Sequence, residues 1–318
     1  MISIVTTAYR SEATIDAFIG RALAAVEPLA EQIELIVVDD GSPDRSAELV
    51  RAWADRDPRV VLVQLSRNFG HHRALLTGLE HVGGDLVFLL DSDLDEAPEH
   101  LGPMLDQMRS DGADCVYGVQ RKRKGGWFER VSGKLFYIAF NALGDVRLPT
   151  NVSTMRVMTR RYVRSLLLFR DQNPVFVPLA VITGYRQVPF VFDKQHRGVT
   201  TYSLARRLSL LVLQITSFSG RPLSIMFALS LVLSVLAMAY GLVVVIQAIF
   251  WHVAEGWPSL MAAILLFFSI NALFTGVLGL YVMRILEEVK DRPRSIVQEV
   301  YRGAHANAAR ADPEAAEP

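Results

Sequence analysis

Over the first 120 residues short apolar runs alternate with longer mixed stretches, at the spacing of strands and helices taken in turn. Ile2 to Thr6, Ile33 to Val38, Val60 to Leu65, Asp85 to Leu90 and Ala113 to Val119 are rich in Val, Ile and Leu and predict strands. Between and after them, Glu12 to Val26, Ser46 to Asp55, Arg73 to His81 and Pro98 to Ser110 predict helices, with another near Val131 to Leu143. This order implies an α/β domain over residues 1–200, a mostly parallel sheet covered by helices.

The pattern changes near the C-terminal end. Leu223 to Phe250 and Ser259 to Met283 contain no charged residue, and both exceed the roughly 20 residues needed to cross a bilayer. They predict two transmembrane helices in a hairpin over 222–285; a buried soluble hairpin fits less well, because soluble helices seldom stay apolar on every face for so long. Arg206, Arg207 and Arg221 precede the first span, and Arg284, Lys290, Arg292 and Arg294 follow the second, which places both ends in the cytoplasm. Trp251 and Trp257 in the short connection fit the aromatic belt at the opposite interface. Ahead of the hairpin, residues 201–221 set Leu204, Leu208, Leu211, Val212 and Ile215 along one side and Arg206 and Arg207 on another, predicting an amphipathic interfacial helix, with a plain packing helix as the competing reading. Residues 286–318 form a cytoplasmic C-terminal segment, disordered from Gly303 to Pro318, where Ala, Pro and charge dominate. The opening Ile2-Ser3-Ile4-Val5 is too short for a signal peptide, so the N-terminal domain is expected on the synthesis side of the membrane.

Composition narrows the partners. The 318 residues carry a formal charge of zero, so no global basic field suggests nucleic acid. The single cysteine, Cys115, excludes an intramolecular disulfide and reads as a packed small hydrophobe within a strand.

Candidate chemistry sits at the predicted strand ends. Leu86 to Leu90 runs straight into Asp91-Ser92-Asp93, and Asp95 continues the carboxylates at every second position. Hard oxygen ligands of this kind suit Mg²⁺ or Mn²⁺ carrying a substrate diphosphate; an isolated D-x-D also reads as a solvated acidic turn. Thr6 to Glu12 and Asp39-Asp40-Gly41-Ser42-Pro43-Asp44 close two other strands and face the same crevice. An aromatic and carboxylates there can stack on a base and accept its N–H donors, while Gly41 allows backbone to approach a ligand. Alone, Asp40-Gly41-Ser42 is equally an ordinary turn and helix N-cap.

The order of these pieces resembles the family 2 (GT-A fold) glycosyltransferases, and within them the membrane-anchored polyprenyl-phosphate glycosyltransferases. The resemblance rests on Val5 to Glu12, Val37 to Asp44, Ser66-Arg67-Asn68-Phe69-Gly70, Leu90 to Glu99, Tyr202-Ser203-Leu204, Ile215 to Ser219 and Glu287 to Pro293, and spans nearly the whole chain. It implies a GT-A (Rossmann-like) domain and an inverting transfer from a nucleotide diphosphate sugar, UDP preferred over GDP, to polyprenyl phosphate. The setting implied is the cytoplasmic face of the cell inner membrane, with the chain a multi-pass protein, a homo-oligomer allowed, and a lipid-linked sugar for the cell envelope as product. Carried onto this sequence, Thr7, Tyr9, Glu12, Asp39, Asp40, Asn68 and Asp91 would bind the nucleotide sugar. Asp91 and Asp93 would hold the metal, with Asp95, where relatives often have Gln, as a further ligand. Arg121, Arg130, Arg156 and Arg197 would hold the acceptor phosphate, Arg130 and Arg156 acting in catalysis beside Asp91 and Asp93. The first loop departs from the family at Ala8, usually Pro, and Arg10, usually Asn. Two other readings are a processive polysaccharide synthase, which needs more membrane helices and a Gln-x-x-Arg-Trp element not found here, and a non-catalytic nucleotide-binding scaffold.

Overall fold

A computed structural model describes residues 1–121, 149, 151–193, 220–250 and 256–303. The expectations on the helix near 131–143, the amphipathic segment 201–219, residues 304–318, Arg130 and Arg197 lie outside these. The described residues fall into two compact units, one from residues 1–121, 149, 151–193 and 292–303, the other from 220–250 and 256–291.

In the first unit strand and helix alternate as the apolar runs require: β1 (Ile2–Ala8), α1 (Ile15–Val26), β2 (Ile33–Asp39), α2 (Ser46–Arg56), β3 (Val60–Leu65), α3 (His71–Glu80) and β4 (Leu86–Leu89). A 3₁₀ turn (Pro98–His100) leads into α4 (Leu101–Asp111), followed by β5 (Cys115–Gln120), β6 (Val152–Thr159), α5 (Arg160–Leu166), α6 (Phe176–Ile182) and β7 (Gln187–Phe192). Helix α1 starts three residues later than expected, because Ser11 O accepts from both Thr14 N and Ile15 N and closes a turn ahead of the helix.

The eight strands lie in the order β7-β5-β6-β4-β1-β2-β3-β8, where β8 is Val297–Tyr301. The sheet is mostly parallel, as expected, and is mixed through β6 and β8. Strands β4, β1, β2 and β3 are parallel, as βαβ crossovers demand, but β6 runs antiparallel between β4 and β5, and β8 runs antiparallel along β3. Every residue of β1, the middle strand of that parallel set, is buried. One face packs under α1, α2 and α4 through Ile4, Phe18, Leu35, Phe88, Leu101, Met104 and Val157. The other face lies under α3, α5 and α6. Helix α3 docks closely there because it presents Gly78, where a Cβ would stand 2.6 Å from Val5 Cγ1. Cys115 is fully buried and burial pushes its thiol up to about 11, so it behaves as the packed hydrophobe expected.

The second unit contains α7 (Arg221–Phe250) and α8 (Trp257–Val289). Among the described residues one stretch, Leu266–Val289 of α8, is long and apolar enough to cross a membrane, and Arg221–Leu233 is a shorter apolar stretch. Large side chains of α8 such as Phe267, Phe268, Leu273 and Val282 are exposed.

Candidate active site

Parallel strands open a crevice at their carboxyl ends, and β4, β1 and β2 bring three loops to one rim. Asp91 stands two residues beyond β4, and Ser92 ties its loop to β1 by donating to Thr7 O at 2.7 Å. Leu94 is buried with φ 62°, in the left-handed region that a branched side chain adopts only where its surroundings hold it. That reversal lies between Asp93 and Asp95, and Asp95 N donates back to Asp93 Oδ1 at 3.0 Å. Asp91 Oδ1 is buried and has no hydrogen-bond partner.

Across β1, Asp39 ends β2 and is fully buried. Its Oδ2 accepts from Ser42 N at 3.2 Å, whereas Oδ1 is buried without a partner. Burial raises its pKa above the ordinary 3.8, against the hydrogen bonds from Ser42. Asp40 is also raised by burial, but both of its oxygens are occupied: Phe69 N donates to Oδ1 at 2.7 Å and Gly70 N to Oδ2 at 3.0 Å. Asp40 therefore fastens the loop between β3 and α3, and Asp39 presents the oxygen left for a ligand.

Gly41 answers to the same loop. Its φ is 63°, and a Cβ there would stand 2.5 Å from Arg67 C and 2.6 Å from Asn68 N. The close approach read from the sequence is thus to protein backbone. Gly41→Ala is expected to cost roughly 1–3 kcal/mol through strain and displacement of that loop. Thermal denaturation checks it, and an unchanged melting temperature would mean that the loop shifts freely.

The remaining assigned residues line the same rim in different states. Tyr9 is 44% exposed, with Arg10 5.6 Å from its ring centroid. Glu12 is exposed and accepts from Arg45 N at 3.4 Å. Asn68 is exposed in the loop that Asp40 holds. Thr7 Oγ1 lies 3.1 Å from His71 Nδ1, whose other nitrogen is 3.5 Å from Asp91 Oδ1. The sequence reading passed over His71. A histidine in the first turn of a helix that follows a strand-end loop was the signal available.

The basic residues do not converge among the described residues. Arg121 is exposed at the end of β5, 3.9 Å from Asp193. Arg156 is 1% exposed, in β6 opposite Leu89 and Tyr117. Its guanidinium lies 5.0 Å from the Phe176 ring centroid and 5.9 Å from that of Tyr117, its Nε has no hydrogen-bond partner, and no carboxylate pairs with it among the described residues. It also lines a cavity of about 230 Å³ with Tyr117, Pro149, Val152, Tyr185 and Gln187. A guanidinium cannot shed its charge as a buried Lys can, so Arg156 carries a buried positive charge.

Among the described residues no three His, Cys, Asp or Glu side chains are gathered as a closed metal site. A Mg²⁺-type ion binds through one or two carboxylates and completes its shell with water and substrate phosphates. Asp91, whose Oδ1 accepts no hydrogen bond, and Asp93 are donors of that class.

Residues 3–167 match the model of Glycosyl transferase family 2. The chain is 40% identical to a glycosyltransferase of Mycobacterium tuberculosis (strain CDC 1551 / Oshkosh), over 94% of this chain and 88% of that one. It is 30% identical to the undecaprenyl-phosphate 4-deoxy-4-formamido-L-arabinose transferase of Edwardsiella ictaluri, over 95% and 94%. It is 29% identical to the bactoprenol glucosyl transferase of Shigella phage SfII, over 95% and 99%. With a GT-A-like mixed α/β sheet carrying carboxylates at the ends of adjacent parallel strands, the chain belongs to glycosyl transferase family 2.

Proposed function

We propose that this protein transfers a sugar from a nucleotide diphosphate sugar, UDP-linked in preference to GDP-linked, to a polyprenyl phosphate at the cytoplasmic face of the membrane. The observation that carries the reading is the pair of buried carboxylate oxygens that accept no hydrogen bond, Asp39 Oδ1 at the end of β2 and Asp91 Oδ1 just beyond β4, on either side of β1. An unsatisfied buried polar atom costs about 1–3 kcal/mol, a cost that a bound ligand recovers. Their separation in role suits a nucleotide diphosphate: Asp39 faces a base or ribose donor, with Tyr9 available to stack, and Asp91 faces the diphosphate end.

Asp91 and Asp93 would hold Mg²⁺ or Mn²⁺, with Asp95, whose carboxylate is not gathered with theirs, acting through water, and such an ion when bound neutralises charge on the departing diphosphate. The acceptor phosphate is already an anion near pH 7, so no side chain has to deprotonate it. Its oxygen attacks the anomeric carbon, the bond from that carbon to the diphosphate oxygen breaks, and the electron pair leaves with the nucleoside diphosphate. Direct displacement inverts the anomeric centre. Arg156, with Arg121, Arg130 and Arg197, would supply the positive charge that holds the attacking phosphate in line.

The names of the relatives support the acceptor class, since two of them act on undecaprenyl phosphate or bactoprenol by name. The apolar stretch Leu266–Val289 supports membrane attachment. In this proposal Leu223 to Phe250 and Ser259 to Met283 both span the bilayer, 201–221 lies at its interface, and 1–200 with 286–318 stays in the cytoplasm.

Thermal stabilisation of the purified protein by UDP, GDP and other nucleoside diphosphates with Mn²⁺ tests the donor site, since a ligand that binds the folded state raises its stability. Stabilisation by UDP is expected, and indifference to every nucleoside diphosphate removes the reading. The response to pH follows from Asp39. Its folded pKa lies above the unfolded 3.8, so ionised Asp39 costs stability above the folded value, and that cost disappears as pH falls toward the unfolded one. Nucleotide affinity runs the other way, because protonation removes an acceptor. Calorimetric titration is expected to show affinity falling at a pH higher than an ordinary carboxylate would produce, and the shift should vanish in Asp39→Asn.

A further inference from the structure

The loop Ser66 to Gly70 that fastens Asp40 is itself held from the far end of the chain. Ser66 N donates to Ile296 O at 2.9 Å, and Ser295 Oγ lies 2.6 Å from Thr77 Oγ1 in α3. Immediately afterwards β8 pairs with β3, Leu65 facing Val297 and Val63 facing Val300, with a register shift between Gln64 and Leu65 at the point where the loop departs. Arg51 of α2 locks the strand from outside by an ion pair with Glu299, a hydrogen bond to Gln64 Oε1 at 3.1 Å and a stack 4.7 Å from the Tyr301 ring centroid. Tyr301 in turn donates to Asp55 Oδ1 at 2.6 Å. On the other side Arg294 donates to Phe169 O.

We infer that the segment Arg294 to Tyr301 is a working part of the donor pocket, with Ser295 a positioning residue that sets the Ser66 to Gly70 loop and, through it, Asp40 and Gly41. Ile296 holds the start of the loop at Ser66 and Ser295 holds α3, which follows the loop, at Thr77; the loop amides at Phe69 and Gly70 fix both oxygens of Asp40, and the loop backbone at Arg67 and Asn68 lies against Gly41. Asp39, which offers the ligand oxygen, is bonded to Asp40 through the chain and to Ser42 across the same turn. The segment begins five residues after the end of α8, so the geometry of the donor pocket depends on chain that emerges directly from an apolar helix. A mere edge cover would protect the unpaired groups of β3 without touching the nucleotide loops. Here the same few residues do both. The inference rests on the reading of this crevice as a nucleoside diphosphate site.

Coupling of this kind is reciprocal: if the segment sets the pocket, a nucleotide in the pocket must hold the segment. The test uses the full-length protein in lipid nanodiscs, with UDP and Mn²⁺ as the probe. Hydrogen exchange of the Val297 to Tyr301 amides is expected to slow when UDP is added. Ser295→Ala is expected to raise the Kd for UDP by about 3–10-fold, as the loss of one hydrogen bond implies. It should raise KM for the nucleotide sugar by the same factor and leave KM for the lipid phosphate unchanged, while Ser295→Thr, which keeps the hydroxyl, binds as the wild type does. Wild-type affinity in Ser295→Ala, or UDP saturation with no change in exchange across Val297 to Tyr301, overturns the inference and leaves the donor-site reading standing. Absence of UDP and GDP binding by the wild type overturns both. Should Ser295→Ala fail to fold, the exchange measurement on the wild type decides alone.

Discussion

Asp91→Asn and Asp93→Asn are each expected to lower sugar transfer by at least about 10²-fold, the scale of losing one charge-stabilising group at a reacting centre. The substitutions keep shape and volume, so the fold should hold. Asp91 Oδ1 is buried without a hydrogen bond, 3.5 Å from His71 Nε2, and exchanging that carboxylate for a neutral amide is expected to leave the melting temperature near that of the wild type. Nucleotide affinity without divalent metal should stay near wild type, because Asp39 and Tyr9 belong to other loops. With Mn²⁺ present, the gain in affinity seen for the wild type should be lost. Transfer assays at limiting and saturating Mn²⁺, read beside thermal melts, separate these outcomes, and wild-type turnover by both variants at limiting metal would remove the metal assignment.

Arg156→Met is expected to cut transfer by about 10–100-fold at subsaturating lipid phosphate and to raise thermal stability at the same time. Both effects come from one observation, a fully buried guanidinium with no carboxylate partner among the described residues. Desolvating an uncompensated charge costs folding free energy, and replacing it by a hydrophobe of similar length against Phe176 and Tyr117 relieves that cost. Arg156→Lys should recover only part of the activity, since a point charge lacks the planar fork that grips a phosphate. A residue that only packs would give the opposite stability result, so a fall in melting temperature with unchanged KM for the lipid phosphate would place Arg156 in the core and outside the acceptor site.

What the sequence made legible, and what it hid, follows from the range of the interactions. Strands β1 to β4 announce themselves because strands so largely buried are mostly apolar, and the loops after β1, β2 and β4 are legible because polar residues interrupt those runs abruptly. That is enough to place Asp39 and Asp91 on one rim. The use made of each carboxylate was not legible: Asp39 and Asp40 are adjacent and both buried, and only the loop from β3, packed against Gly41, decides that Asp40 is occupied and Asp39 is not. Strand β8 was hidden for a related reason. Val297-Gln298-Glu299-Val300-Tyr301 is short and partly polar, its stabilising partners are Arg51, Asp55 and β3 at the other end of the sequence, and nothing local distinguishes it from a polar tail. The antiparallel entry of β6 is likewise a tertiary fact, since an apolar run carries no sign of its direction. The burial of Arg156 is another, since it depends on aromatic rings that distant parts of the chain place beside it.

The central claim is the reaction itself, and the most direct measurement supplies the purified protein in nanodiscs with a polyprenyl phosphate, Mn²⁺ and a panel of UDP- and GDP-linked sugars, and follows products by mass spectrometry and ³¹P NMR. One sugar of the panel is expected to give a singly glycosylated polyprenyl phosphate with inverted anomeric configuration and one equivalent of nucleoside diphosphate, and the signal should disappear with chelator or in Asp91→Asn. A polymeric glycan, retained configuration, or nucleotide binding with no lipid-linked product from any sugar in the panel would contradict the account.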